Sequence, residues 1–211
     1  MNAVSYSLLT SKIFSLQEYF VFEEKSEERH EFHAEKLRPL PGGSIRHSSI
    51  SVNLLASVST ILQEKEKNCL VFSCNLKIAL PSLKHFLYPD GMVCCGEPMK
   101  GMPNRNDSIS NPQLVFEVLS PSTESYDLGD KFKLYQELKS LREYVIVRQS
   151  YCYVEVRTLV DTERNLWKFS YYEDMSDSVK LDSLNIELPM QKIYNRIKFD
   201  EIDETETADA V

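Results

Sequence analysis

Apolar positions along the chain alternate between two periods, and the switches between them divide it into helices and strands. From about Arg46 to Lys67 they recur at Ile50, Leu54, Leu55, Val58, Ile61 and Leu62, the spacing of a helix with one buried face. A shorter helical stretch, LQEYFVFEEK, follows Ser15 and Glu18, whose S-x-x-E spacing is a capping box. A third helix is predicted over 127–139, with Leu128, Phe132, Tyr135 and Leu138 on its apolar face. Strand-like runs fill the rest. There are two short strands in 29–40 with a turn near His33-Ala34, then runs at 69–80, 86–96 and 113–120. REYVIV and CYVEVRTLV follow within 142–160, and further strands near 165–173 and 179–188. Pro41-Gly42-Gly43 breaks the chain, and a polar loop over 97–111 separates two strands. Strands flanking two strong helices imply an α/β domain, a mixed β-sheet flanked by α-helices.

One strand carries a chemical anomaly. Leu114, Val115, Phe116, Val118 and Leu119 form the near-continuous apolar run of a strand buried on both faces, and Glu117 sits in the middle of it. A bare buried charge costs several kcal/mol, so this carboxylate must be paired, neutralised or bound to a metal. Two other residues could meet it. Asp90, in LYPDGMVCC, follows a proline that disfavours a regular ladder, so it marks a strand end or bend; alone, it also reads as a turn aspartate before Gly91. Lys131 falls between Tyr135 and Leu138 on the helical wheel, inside the apolar stripe, where a lysine either snorkels outward or reaches a buried carboxylate.

An aspartate, a buried glutamate and an inward lysine are the minimal set for metal-dependent phosphodiester hydrolysis. Two carboxylates hold a hard cation, the cation activates water, and the lysine steadies developing negative charge. A structural Lys–Glu ion pair accounts for the same residues, so spacing alone leaves both readings open.

Composition narrows the setting. The chain has 211 residues, 42% of them hydrophobic, enough for one domain with a real core. Its formal charge of −8 is misleading: residues 200–211, DEIDETETADAV, hold six acidic groups, and without them 26 acidic face 24 basic residues. The division expected is an N-terminal extension (1–14), a domain (15–199) and an acidic disordered tail (200–211). A nearly neutral folded part neither recommends nor excludes a phosphate-bearing partner. The five cysteines include no C-x-x-C pair and lie mostly in apolar runs, which argues against a disulfide framework or zinc site and fits a reducing cytoplasm. No apolar run is long enough to cross a bilayer, and residues 1–14 are too polar for a signal peptide.

The ordered series RHEFHAEKL, GGSIRHSSISVNLL, LYPDGMVCCGEP and NPQLVFEVLSPSTESYDLGDKFKLYQELKSLREYVIV resembles the Uma-two family of restriction-endonuclease-like proteins, over residues 15–160. That resemblance implies the PD-(D/E)XK nuclease superfamily and its restriction-endonuclease-like core. The superfamily's first motif matches Pro89-Asp90. Its second matches Glu117-Val118-Leu119 but has leucine where lysine would stand; the family's displaced lysine corresponds to Lys131. Glu31 matches a glutamate in the first hairpin and adds an auxiliary acidic group. His47 matches a histidine in relatives, although a satisfied core or cap histidine explains it equally well.

Two departures stand out. His33-Ala34 falls where Asp-Gly is usual at the hairpin turn. Gly91 replaces a β-branched residue, a change that would loosen the backbone beside Asp90. The implied activity is that of an endonuclease using Mg²⁺ or Mn²⁺ to cut DNA, with RNA as the alternative substrate. Asp90, Glu117, Lys131 and Glu31 carry the chemistry, Asp90, Glu117 and the Val118 carbonyl bind metal, and the protein pairs as a homodimer. The rival reading is a non-catalytic nucleic-acid-binding or assembly protein on the same fold.

Overall fold

The computed structural model describes residues 12–40 and 42–199; the acidic tail and residues 1–11 of the expected extension lie outside them. Helix α1 (Leu16–Glu23) begins at the expected capping box, with Ser15 and Glu18 each bonding the other's backbone amide. Strands β1 (His30–His33) and β2 (Lys36–Pro39) form the first hairpin. Its central turn residues are Ala34 and Glu35, one position past the expected site. Both have positive φ, 43° and 75°, as the twist of a two-residue hairpin loop demands. The long helix is α2 (Ile45–Glu64), whose N-cap Ser44 accepts a hydrogen bond from the His47 amide.

The longer strand-like runs divide. Residues 69–80 become β3 (Cys69–Ser73) and β4 (Lys77–Ala79), and 86–96 become β5 (His85–Leu87) and β6 (Gly91–Cys95). Pro89, which has no amide to give a ladder, lies in the second break. After β7 (Ser108–Ile109) and β8 (Leu114–Leu119), the expected helix over 127–139 forms as two short pieces, α3 (Glu124–Leu128) and α4 (Asp130–Tyr135). They meet at Gly129, whose backbone leaves the helical region at φ −114° and ψ −89°. The chain continues through β9 (Glu143–Arg148), β10 (Val154–Asp161), β11 (Leu166–Tyr172), β12 (Ser178–Leu181), β13 (Ile186–Pro189) and α5 (Met190–Ile193).

The central sheet is mixed, in the order β11-β10-β9-β8-β6-β3, with β8 parallel to β9 and antiparallel to β6. A second sheet runs β2-β1-β5-β4-β7, and β12 pairs with β13 alone. Strand alternation gives β8 two buried faces. Leu114, Phe116 and Val118 pack against Ile50, Leu54 and Val58 of α2. Val115 and Leu119 share the opposite core with Phe132, Tyr135 and Leu87, and Glu117, two residues from each, projects on that side. Among the described residues no helix is long and apolar enough to cross a membrane.

Two of the five cysteines are not free thiols. Cys69 and Cys95 face each other directly across β3 and β6 and are joined by a disulfide, contrary to the sequence expectation. The pairing depends on strand register, which spacing along the chain does not show. Closing a loop of 26 residues restricts the unfolded chain by about 3.5 kcal/mol. Reduction is therefore expected to lower stability in urea by up to that amount, and an unchanged midpoint after reductant would refute it.

The second sheet is tied down at Asp107, which bonds Lys77 of β4 at 2.8 Å and the Arg105 guanidinium at 2.7 and 3.0 Å. Burial works to raise the Asp107 carboxyl, but Arg105 and Lys77 outweigh it and hold it down at about 2. A carboxyl depressed by folding contributes stability above its ordinary pKa of 3.8 and loses it as pH falls toward about 2. Asp107→Asn is thus expected to cost stability at neutral pH and progressively less through that window. Parallel urea titrations at both ends would reveal a constant gap if Asp107 were not the cause.

Candidate active site

Strands β1 and β8, helices α2, α3 and α4, and the residue before β6 converge around the Glu117 carboxylate. The strand register sets Gly91 opposite Phe116, so Asp90, one residue before β6, is aligned with Glu117 on β8. Asp90 is not a turn aspartate: its Oδ2 accepts the Val118 amide across the sheet at 2.7 Å. The same oxygen lies 3.2 Å from Nε2 of His47, in the first turn of α2. A residue's amide and carbonyl leave an extended strand by the same edge, so the Val118 carbonyl also faces the Asp90 side.

Gly91 does not loosen this junction. A Cβ at that position would lie 2.3 Å from Cδ2 of Leu55, so glycine lets α2 approach β6 closely. The residue is fully within the ladder, paired with both Ser73 and Phe116. The unusual glycine and a large leucine on the facing helix are one packing solution.

Lys131 does not snorkel. It is 4% exposed, and its ammonium lies 2.9 Å from Glu117 Oε1, 3.0 Å from the Tyr88 carbonyl, 3.4 Å from Glu31 Oε1 and 3.5 Å from Asp127 Oδ1. Burial works to lower its pKa, but Glu117, Glu31 and Asp127 outweigh it and hold the amine well above the ordinary lysine range. Lys131 is accordingly a fixed cation and not a base.

Glu31 reaches the cluster from β1 and is fully buried. Its Oε1 accepts the Tyr88 amide at 3.1 Å, and its Oε2 accepts the Tyr126 hydroxyl at 3.0 Å and lies 3.0 Å from His33 Nε2. Burial works to raise it, yet Lys131, His33 and Tyr126 together bring it down to about 2. The Ala34-Glu35 turn therefore keeps the hairpin in a register that delivers Glu31, despite its departure from Asp-Gly.

Glu117 is the opposite case. Burial pushes its carboxyl well above the ordinary range; Lys131 opposes this, while Asp127 and Asp90 add to it. Tyr135 donates to Oε1 at 3.2 Å. Among the described residues no protein donor bonds Glu117 Oε2 or Asp90 Oδ1. Contrast Glu143, a buried carboxylate on β9 that receives the amides of Asp182 and Ser183 and the hydroxyls of Ser183 and Thr158. Neutral donors alone satisfy that structural carboxylate, whereas Glu31, Glu117 and Asp127 also converge on one lysine.

Sequence reasoning singled out Asp90, Glu117, Lys131, Glu31, Val118 and His47, and the structure brings all six together. It missed Asp127 as a participant. The available signal was its spacing of four from Lys131, which places the two on one helical face even across the kink at Gly129. Tyr126 and Tyr88 were invisible, because their contacts depend on how the two sheets meet. Among the described residues, no three His, Cys, Asp or Glu side chains form a ready-made metal cage. The free oxygens of Asp90 and Glu117, with the Val118 carbonyl, are still hard donors of the kind Mg²⁺ accepts while keeping several waters.

The model of the Uma2 family, described as "Putative restriction endonuclease", matches residues 16–191. An uncharacterized protein of Synechocystis sp. is 32% identical over 185 residues, covering 88% of this chain and 93% of its own. Another from the same organism is 31% identical over 144 residues, covering 68% and 79%. A crystal structure from Anabaena variabilis, described as a putative nuclease belonging to DUF820, superimposes with a TM-score of 0.66 at 15% identity, covering 86% of this chain and 97% of that one. That likeness establishes the fold.

Proposed function

This chain belongs to the Uma2 (Uma-two) family, and on that premise we propose that it is a nuclease that hydrolyses phosphodiester bonds, in DNA before RNA, with Mg²⁺ or Mn²⁺ held by Asp90, Glu117 and the Val118 carbonyl. The observation that carries this reading is the excess of buried carboxylate. Glu31, Glu117 and Asp127 are each less than 5% exposed and share one ammonium, while Asp90 stands at the rim with an oxygen free. Such an excess is costly in an apolar core unless a further cation joins it. A purely structural ion pair needs one carboxylate, and the cluster supplies three.

The bound metal would polarise the phosphate and lower the pKa of a coordinated water. The chain's own residues do the rest. The Val118 amide fixes the Asp90 carboxylate, so the donor pair is set before substrate arrives. Lys131, locked as an ammonium, offers positive charge to the oxygen that becomes negative during attack. Glu31 and Asp127 hold that ammonium and are positioning residues. His47, against Asp90 at the half-exposed mouth, is within reach of the same carboxylate and sets its orientation. A homodimer, with each chain acting on one strand, completes the reading.

The test is cleavage of single- and double-stranded DNA and RNA with either metal, by wild type and Asp90→Ala prepared in parallel. Metal-dependent cleavage by wild type alone is expected. Equal cleavage by both would identify a contaminant and remove the assignment.

A further inference from the structure

The hairpin that delivers Glu31 continues beyond the site. Cross-strand partners share a face, so the register Glu31↔Arg38 and His33↔Lys36 puts these four side chains on one side of the hairpin. Phe32 and Leu37 point the other way, into the aromatic core with Tyr19 and Phe86. The inner strand of this face thus belongs to the Lys131 network, and the outer strand, β2, carries two cations at the free edge of its sheet.

Between β2 and α3 lies a cavity of about 250 Å³ lined by His33, Lys36, Leu37, Arg38 and Tyr126. The Arg38 guanidinium lies 3.5 Å from the centre of the Tyr126 ring. The hydroxyl of that ring contacts Glu31 Oε2 at 3.0 Å and His33 Nε2 at 3.1 Å. A continuous path therefore runs from Glu117 through Lys131, Glu31 and Tyr126 to the cavity, each step 3.4 Å or less. Two cations beside a stacked arginine–aromatic pair form the kind of surface that binds a nucleic-acid strand: charge for phosphates and a flat platform for a base.

We propose that this groove seats an unpaired nucleotide of the substrate strand, with Lys36 and Arg38 on its phosphates and its base against the Arg38–Tyr126 stack. The proposal rests on the nuclease reading and adds to it a strand-binding subsite and a preference for single-stranded or locally opened substrate. The groove is small and its cations are two, so a rigid duplex cannot place a base in it without unpairing. Glu35, at the hairpin turn, is the one exposed acid of the hairpin residues 30–39.

The experiment measures binding apart from cleavage. The anisotropy of a fluorescein-labelled single-stranded oligonucleotide is followed in EDTA over a range of salt, for wild type, Lys36→Ala and the double variant Lys36→Ala/Arg38→Ala. Wild type is expected to bind the single strand more tightly than the matching duplex. The double variant is expected to bind at least about tenfold more weakly, with a salt slope shallower by about 1.4 for two lost phosphate contacts. Lys36 is exposed, so the single variant keeps the test valid if the double variant melts early. Equal affinity and equal slope in wild type and both variants would overturn the proposal, as would tighter binding to duplex or no binding to either form. Wild-type hydrolysis of bis(p-nitrophenyl) phosphate with Mn²⁺, a diester too small to need the groove, reports on the nuclease reading separately. If that ester is hydrolysed while the binding result is negative, the subsite falls alone; if it too is inert, the nuclease reading falls with it.

Discussion

Replacing Lys131 by methionine is expected to destabilise the protein by about 3–5 kcal/mol, the cost of removing one partner from a buried charge cluster. The side chain is nearly isosteric, so little of the loss comes from a cavity. What remains, among the described residues, is Glu31, Glu117 and Asp127 with no lysine or arginine paired to them, and a Tyr88 carbonyl that has lost its 3.0 Å donor. Tyr126, Tyr135 and His33 still bond the carboxylates, but two of these three donors are neutral hydroxyls. The pH dependence has a definite sign. Carboxyls stranded in the variant acquire folded pKa values above their unfolded ones, so they destabilise the fold once ionised and cost less as pH falls. The deficit relative to wild type should therefore be larger at mildly alkaline than at mildly acidic pH. Urea denaturation of both proteins at the two pH values decides it; a small, pH-independent difference would mean that Lys131 is not the cluster's sole compensating charge.

Glu117→Gln is expected to behave in the opposite way, leaving stability within about 1 kcal/mol of wild type or slightly above it. Burial already pushes this carboxyl well above its ordinary range, with Asp127 and Asp90 adding to the effect, so the folded protein gains little from the charge. The amide oxygen can still accept from Tyr135, and Lys131 retains Glu31 and Asp127. Activity should nonetheless fall by at least about 10²–10³-fold, the size of effect seen when one preorganised electrostatic group is removed. The pair of variants separates two roles that a single alanine scan would merge. Lys131 holds the site together, and Glu117 is kept at a cost to the fold. A glutamine variant that was strongly destabilised yet still active would reverse the assignment.

The two residues were legible in the chain for different reasons. Glu117 was conspicuous because an otherwise apolar six-residue strand cannot hide a carboxylate. Lys131 was found by helical phase, and the phase held although the expected helix breaks at Gly129, because Lys131 and Tyr135 lie within one piece, a turn apart. The strand over 86–96 could be read as interrupted at Pro89, but not that Asp90 would turn its carboxylate to the Val118 amide. That bond depends on the β6–β8 register. Gly91 looked like a weakness in isolation and proves to be matched by Leu55, a long-range packing fact with no local signature. The Cys69–Cys95 pair and the Tyr126 bridge to Glu31 belong to the same class, since each needs two segments far apart in sequence to be brought into contact.

The most direct measurement of the central claim needs no substrate. Mn²⁺ titrated calorimetrically into wild type, Asp90→Ala and Glu117→Gln asks whether the buried carboxylate excess is the seat of a divalent cation. Binding at one site per chain in wild type, lost in both variants while their melting remains cooperative, is the expected result. Equal binding in all three, or none in wild type, would contradict it and leave the cluster as a structural network in the core.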